Sequence, residues 1–235
     1  MDKASRLLVA MRYFECERLS LRAVTMAMRA GDFERLGRIC LPLQESRRLI
    51  RQQATDAAAG GGRVVLSAPG EFSARSGAGF YLVQPPLIGA DARRMRELLW
   101  HRQVPCLVLA REPMTQSGQW PLVAVGQRSY RVRVAPPEGV VWTGQGVRRD
   151  AAQGGGAPSV AWFLAAAEAL GDAMIAGIDA SLPAAWRVED LLAALDAFSD
   201  HEKLHQQLAE ACRAAAHEPP PSHPRPRIDP LPNSF

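Results

Sequence analysis

Charged side chains cluster in two loops that a predicted strand-helix-strand unit brings to one end of a sheet. The loop 85–94 follows the apolar run 80–84, and the loop 111–117 follows a second apolar run, 105–110. If the two strands are parallel, an anionic ligand would lie between Arg93 and Arg111, near a helix N-terminus, at the edge where α/β proteins place ligands. The predicted ligand-binding residues are Asp91, Arg93, Arg94, Arg111, Glu112 and Thr115.

The same residues also have structural roles available to them. The loop PPLIGADARR contains one glycine, and it lacks the GxGxxG and GxxxxGK[ST] spacings of phosphate-binding loops. Asp91 can act as the N-cap of the helix that follows it, and Arg111 can form a local ion pair with Glu112. Both interpretations are open at this stage.

A second candidate site is the run His201-Glu202-Lys203-Leu204-His205. On a helix, two histidines four residues apart face the same way and can share a zinc ion, while the glutamate activates a metal-bound water. The run resembles the HExxH signature of the zincin metallopeptidases. That resemblance implies a zinc-dependent hydrolase with His201 and His205 as metal ligands.

The surroundings of this run depart from the zincin pattern. Asp200 and Lys203 are charged where the family has uncharged residues, and Leu208 and Ala211 stand where the longer metzincin pattern has glycine and histidine. The spacing of Ser199 and Glu202 fits a capping box instead. The alternative is therefore an exposed, capped helix start with two solvated histidines.

A nucleophilic catalytic site is not indicated. The sequence contains no GxSxG elbow, Cys106 lies inside an apolar strand pattern, and His101 falls at a predicted helix end. No cofactor-binding motif is present, so no cofactor is predicted. These observations favour a non-catalytic protein.

The elements that would position these residues form a mixed α/β fold, organised around residues 79–125. Apolar runs predict strands at 63–67, 80–84, 105–110, 120–125 and 130–134, with a short one at 140–142. A charged helix is predicted over 91–102. The strands at 63–67 and 80–84 could pair as a hairpin with a long connection, and the strand at 120–125 should run antiparallel to the one before it.

Helices flank this sheet on both sides in the sequence. Residues 1–58 predict an N-terminal helical hairpin, with a break at Gly31 and Asp32 and an interruption or kink at Pro42. Residues 63–143 form the mixed α/β core and 144–157 a glycine-rich linker. Three helices follow over 158–217, and the proline-rich tail 218–235 is expected to be extended or disordered.

The N-terminal hairpin carries a family resemblance over residues 5–45. The run Arg12-Tyr13-Phe14-Glu15-Cys16-Glu17-Arg18-Leu19, with Ala23-Val24 and then Gly31-Asp32-Phe33, resembles a single tetratricopeptide-type (TPR) helical repeat. The resemblance implies a protein-interaction surface. An ordinary helical hairpin packed on the sheet is the alternative, because one repeat cannot bury its own face.

Charge is distributed unevenly along the chain. Residues 1–60 carry 11 basic and 7 acidic residues (+4) and residues 61–157 carry 12 and 6 (+6), whereas residues 158–217 carry 3 and 9 (−6). The acidic helices could dock on the basic body, or the basic part could meet an anionic partner. Nucleic acid is not the expected partner, because aromatic residues are not interleaved with the basic ones.

The remaining composition predicts a cytoplasmic protein without a membrane span. No apolar run approaches the roughly 20 residues that cross a bilayer, and the N-terminal residues lack the apolar core of a secretory signal. The four cysteines are widely spaced and are expected to be reduced and buried.

The sequence thus favours an interaction or adaptor protein with a protein partner. The alternative is a small-molecule or anion-binding α/β domain, possibly enzymatic, that uses the loops 85–94 and 111–117. A zinc hydrolase is the third hypothesis.

Overall fold

The structure is a computed structural model that describes residues 2–68, 70–71, 77–138, 140–143, 146–149, 157–223 and 225. Its helices are α1 (Asp2–Val9), α2 (Tyr13–Ala30), α3 (Phe33–Ala59), α4 (Gly89–His101), α5 (Val160–Ala176), α6 (Ala184–Ala197) and α7 (Glu202–Ala215). Its strands are β1 (Arg63–Leu66), β2 (Gly79–Val83), β3 (Cys106–Arg111), β4 (Trp120–Val125), β5 (Ser129–Val134), β6 (Val140–Thr143) and β7 (Gly146–Arg149). The mixed α/β fold predicted from the sequence is confirmed.

Five of the strands form one mixed sheet in the order β1-β2-β3-β4-β5. Strands β1, β2 and β3 are parallel, and β4 and β5 continue the sheet in antiparallel pairing, as predicted for β4. The predicted hairpin of β1 and β2 is wrong, because Arg63 faces Phe80 and Leu66 faces Val83 in parallel register. The connection between the two strands is long enough to return the chain to the same end of the sheet.

Strands β6 and β7 pair with each other in a separate two-stranded sheet. The strand predicted at 140–142 therefore exists, but it does not extend the main sheet. Strand β7 also lies inside the segment 144–157 that the sequence predicted as a linker. Most of the remaining residues of that segment lie outside the described ranges.

Helices cover both faces of the main sheet. Strand β2 is buried along its whole length, with Phe80 and Leu82 in one apolar cluster and Tyr81 and Val83 in another. The alternation follows from the two-residue side-chain period of a strand. Helices α3, α5, α6 and α7 contribute to the first cluster, and α4 covers the opposite face. This arrangement places α4 and α6 on different sides of the strands.

The N-terminal hairpin consists of α2 and α3, with α1 packed against it. Gly31 ends α2 in the left-handed conformation at φ +63°, and Asp32 accepts a hydrogen bond from the Arg35 N–H at 2.9 Å, as predicted for a helix cap. A break at residues 10–12, which the sequence pattern missed, separates α1 from α2.

Helix α3 continues through Pro42 without the interruption that was one of the two predicted outcomes there. Proline removes one backbone hydrogen bond, but buried residues on both sides, such as Leu36, Leu43 and Ile50, hold the helix in place. Tertiary packing thus outweighs the local helix-breaking tendency. Helix α7 packs along α3 and covers the apolar face that a single hairpin would leave open.

The acidic C-terminal helices dock on the basic body. Ion pairs join Arg51 to Glu168, Arg93 to Asp196 and Arg128 to Asp190. Some of the basic and acidic residues that are unevenly distributed along the sequence therefore pair with each other within the molecule.

Two further predictions concern cysteines and membranes. All four cysteines are free, and Cys16, Cys40 and Cys212 are buried while Cys106 is partly buried. In the part of the chain that the structure describes, no helix combines the length and the apolar character needed to cross a bilayer.

Candidate functional site

The loops that follow β1, β2 and β3, here called the carboxyl edge, contain the predicted ligand-binding residues. On the α4 side, Asp91 is not the N-cap; the helix begins at Gly89, and the Asp91 carboxylate accepts the Ile88 N–H at 2.9 Å from the first turn. Arg93 reaches away from the edge and donates to both carboxylate oxygens of Asp196, at 3.0 and 3.3 Å. Arg94 is exposed, with Asp91 at 3.7 Å.

On the β3 side of the carboxyl edge, Arg111 stacks on the Trp120 ring at 4.4 Å from its centroid and donates to the Gln84 side chain at 2.9 Å. The predicted ion pair with Glu112 is wrong. Consecutive strand residues point to opposite faces, and the Glu112 carboxylate accepts a hydrogen bond from Arg131 at 3.1 Å instead.

Thr115 closes its own loop and is not directed toward the other predicted ligand-binding residues. Its hydroxyl donates to the Gln119 carbonyl and accepts the Gln119 N–H, both at 3.1 Å.

The structure does not bring Arg93 and Arg111 together. Arg111 continues the alternation of Leu107 and Leu109 and lies on the face that packs against α3. Arg93 belongs to α4 on the opposite face, where it is held by Asp196. The carboxyl edge therefore offers no anion site that uses both guanidinium groups.

The histidine run does not lie on one helix. Helix α7 begins at Glu202, so His201 is its N-cap in extended conformation and Ser199 lies in the preceding turn. The capping box of Ser199 is thus wrong. The prediction of solvated histidines is also wrong, because His201 is fully buried and His205 is 2% exposed.

The His201 ring fits against a gap in α5. A Cβ atom at Gly171 would come within 2.0 Å of the His201 Cγ, so only glycine leaves room for the ring. The Nε2 atom lies 3.3 Å from both Glu168 and Asp172. Burial lowers the pKa of His201, although the two carboxylates act against that change.

His205 places its Nε2 atom 3.1 Å from the Ser199 carbonyl. Burial lowers the pKa of His205 to about 3, and nearby Arg47 acts in the same direction. The imidazole is therefore neutral at physiological pH. Among the described residues, no group of three or more His, Cys, Asp or Glu side chains is arranged to hold a metal ion.

Buried charge is concentrated at residues 196–205, here called the corner, where α6 ends and α7 begins. Arg96 of α4 donates to the carbonyls of Asp196, at 2.6 Å, and Ala197. Arg51 of α3 donates to the Asp200 carbonyl at 2.7 Å. Two separate elements thus supply donors for carbonyls that the helix end leaves without intrahelical partners.

A second buried group of charges adjoins the corner. Glu17 is 4% exposed and accepts hydrogen bonds from Arg47 at 2.8 Å and from the Trp100 indole at 2.6 Å. Burial raises the pKa of Asp200, while the positive charges of Arg96, Arg51 and Arg47 oppose that effect. A cavity of about 30 Å³, large enough for one water molecule, lies among these residues.

An open groove of about 390 Å³ lies directly beside this group, and we call it the hairpin groove. Its apolar residues come from four helices: Leu21, Leu43, Trp100, Leu192 and Leu195. Arg47, Glu17 and Arg96 form its charged end. The volume falls in the range of ligand pockets, so the groove can receive an apolar group flanked by polar ones.

A more polar cavity of about 560 Å³ lies between α3, α5 and the start of α7. Arg47, Arg48 and Arg51 line one wall, and Glu168, Glu202 and His205 line another. Within the described residues, the His205 Nδ1 atom is buried without a hydrogen-bond partner.

Sequence reasoning missed both cavities. The four leucines of the hairpin groove come from α2, α3 and α6, and α6 is far from the other two helices in the sequence. Leu192 and Leu195 are three residues apart and share a helix face, which is a recognisable signal. Their pairing with Leu21 and Leu43 depends on tertiary structure and leaves no local pattern.

Comparison with known proteins adds no family to this description: no protein-family model, no curated protein and no solved structure matches the chain.

Proposed function

We propose that this chain is a non-catalytic interaction protein that binds a segment of a protein partner in the hairpin groove. The observation that carries the proposal is the groove itself, an open apolar depression of about 390 Å³ beside the hairpin that resembles a TPR repeat. Leu43 and Leu195 are buried at its base, while Leu21, Trp100 and Leu192 remain partly exposed. An apolar side chain of a partner would cover the exposed groups.

The charged end of the groove supports a peptide-like partner. Glu17, Arg47 and Trp100 are fixed by mutual hydrogen bonds, so their orientation does not have to be ordered on binding. Apolar anchors beside a fixed polar group are the pattern of interface residues that dominate binding energy. A segment with one apolar anchor and neighbouring polar groups fits this chemistry.

The test compares two surface substitutions on the same helix. Leu21→Asp places a charge in the groove and should abolish capture of the partner by the purified chain. Met26→Asp is the matched control, because Met26 is 72% exposed and does not line the groove. Both variants should retain the wild-type melting temperature. If Leu21→Asp captures the same proteins in the same amounts as Met26→Asp, the groove is not the binding surface.

A small-molecule function has its own supporting observation in the polar cavity. Three arginines of α3 line this cavity and favour a small polar molecule with an acidic group. Native mass spectrometry of the purified chain distinguishes the two proposals, because only this one predicts a bound small molecule in the absence of a partner.

A further inference from the structure

The proline-rich tail docks on the molecule through its first residues. The Glu218 carboxylate accepts the Ala184 N–H at 2.8 Å and lies 4.0 Å from Arg187. Pro183, the residue before α6, makes no side-chain cap hydrogen bond. Glu218 therefore supplies the missing N-terminal cap of α6 from the tail.

Arg225 fixes the other end of the docked segment. Its guanidinium donates to the Asp190 carboxylate at 2.6 Å, to Glu189 at 3.0 Å and to the Trp186 carbonyl at 3.2 Å. Asp190 is only 5% exposed and also accepts a hydrogen bond from Arg128 at 2.5 Å. A buried carboxylate shared by two arginines is a strong site for a cation.

The middle of the tail does not fill the space beneath it. A cavity of about 590 Å³ lies between residues 219–221 and the α2–α3 turn, with Trp186 in its wall. Consecutive prolines favour the extended polyproline II conformation and offer few backbone donors. Glu218 and Arg225 thus anchor this part of the chain on either side of a cavity with room for further side chains.

The surface of α6 that contacts the tail carries the types of side chain that recognise proline-rich segments. Such segments are recognised by aromatic side chains together with acidic groups that bind a flanking arginine. Here Trp186 supplies the aromatic group, and Glu189 and Asp190 supply the acids. All three lie within about one turn and a half of α6.

We propose that the α6 face formed by Trp186, Glu189 and Asp190 is a binding site for extended proline-rich segments that carry an arginine. In the free protein the chain's own residues 218–223 and Arg225 occupy this site. A proline- and arginine-containing segment of a partner protein binds by displacing them. This site is separate from the hairpin groove, and its test does not depend on the function proposed for the groove.

The experiment uses the full chain and a fluorescein-labelled peptide with the sequence of residues 218–227, followed by fluorescence anisotropy. Arg225→Ala in the protein weakens the competing tail without altering the receiving surface. The labelled peptide should therefore bind the Arg225→Ala protein at least about tenfold more tightly than the wild type, because a larger fraction of its sites is open.

Two controls make the result specific. A peptide in which the residue corresponding to Arg225 is alanine should bind the same Arg225→Ala protein about tenfold more weakly than the unchanged peptide. Arg213→Ala, an exposed substitution on α7 away from this surface, should bind the labelled peptide with the same affinity as the wild type. The proposal is overturned if the Arg225→Ala protein does not bind the peptide, or if both peptides bind equally.

Discussion

The corner and the carboxyl edge both gather charged residues, but they use them in different ways. At the corner, arginines from α3 and α4 donate hydrogen bonds to backbone carbonyls at the end of α6 and in the turn before α7. At the carboxyl edge, the polar side chains bond to close neighbours within the sheet and its loops, as Arg111 does with Gln84. The comparison teaches that a long charged side chain near a predicted ligand site can be committed to a distant part of the fold.

Arg93 illustrates this difference most directly. The sequence places it in the first turn of α4, beside the carboxyl edge, yet its guanidinium pairs with Asp196 at the corner. The Arg93 guanidinium, which belongs to the ligand site predicted from the sequence, thus stabilises the docking of α6. We expect the corner to be sensitive to substitution and the carboxyl edge to be tolerant.

The largest expected effect is that of Gly171→Ala, which tests how tightly the corner is packed. The added Cβ would meet the buried His201 ring at 2.0 Å, so the ring or helix α5 must move. We expect the free energy of unfolding to fall by more than about 3 kcal/mol, as measured by urea denaturation.

Gly177→Ala at the end of the same helix is the matched control. Its Cβ would meet only ordinary contacts at 3.5 Å, and its backbone is right-handed. We expect a change of less than about 1 kcal/mol. Equal losses in the two variants would show that the corner is no more tightly packed than the helix end.

A direct comparison of the two regions comes from Arg96→Met and Arg111→Met. Arg96→Met leaves the Asp196 and Ala197 carbonyls without their donor, and we expect a loss of about 2–3 kcal/mol. Arg111→Met removes the hydrogen bonds to the Gln84 side chain and the Glu112 carbonyl and the stacking contact on Trp120, and we expect a smaller loss of about 1 kcal/mol. Chemical denaturation of both variants measures which one loses more free energy of unfolding. The distinction between the regions fails if Arg111→Met is the more damaging.

A further test of the corner concerns the pH dependence of stability at His205. The folded-state pKa of about 3 lies below the usual value of 6.5, so the unfolded chain binds a proton in this range that the folded chain does not. The contribution of His205 to stability is complete above pH 6.5 and decreases as the pH falls toward 3.

His205→Gln removes this titration and keeps a donor for the Ser199 carbonyl. The stability difference between wild type and variant should shift against the wild type by about 2 kcal/mol between pH 7.5 and pH 5. Denaturation curves at the two pH values measure it. A pH-independent difference would mean that His205 is not buried as a neutral imidazole.

The sequence predicted the parts of the fold that depend on local pattern. The apolar runs marked the strands of the main sheet, and Asp32 marked the start of α3. Parallel pairing of β1 and β2 was not predictable, because register and direction depend on where the connecting chain returns. The predicted interruption at Pro42 does not occur, because its local effect is opposed by packing from α7, which is distant in the sequence.

The candidate sites were less predictable than the fold. The HEKLH run has the spacing of a metal motif, but the helix starts one residue too late to include His201. Nothing in the neighbouring residues shows that Gly171 provides the space for that ring. The hairpin groove, likewise, is formed by residues that meet only after four separate helices have packed.

Helix α3 has a consequence for the order in which the protein can fold during synthesis. Leu36, Cys40 and Leu43 are synthesised roughly 160 residues before α7, which packs against α3. At about 5–20 residues per second, that interval is roughly 10–30 s. For that interval the apolar face of α3 that α7 later covers lacks its final packing partner.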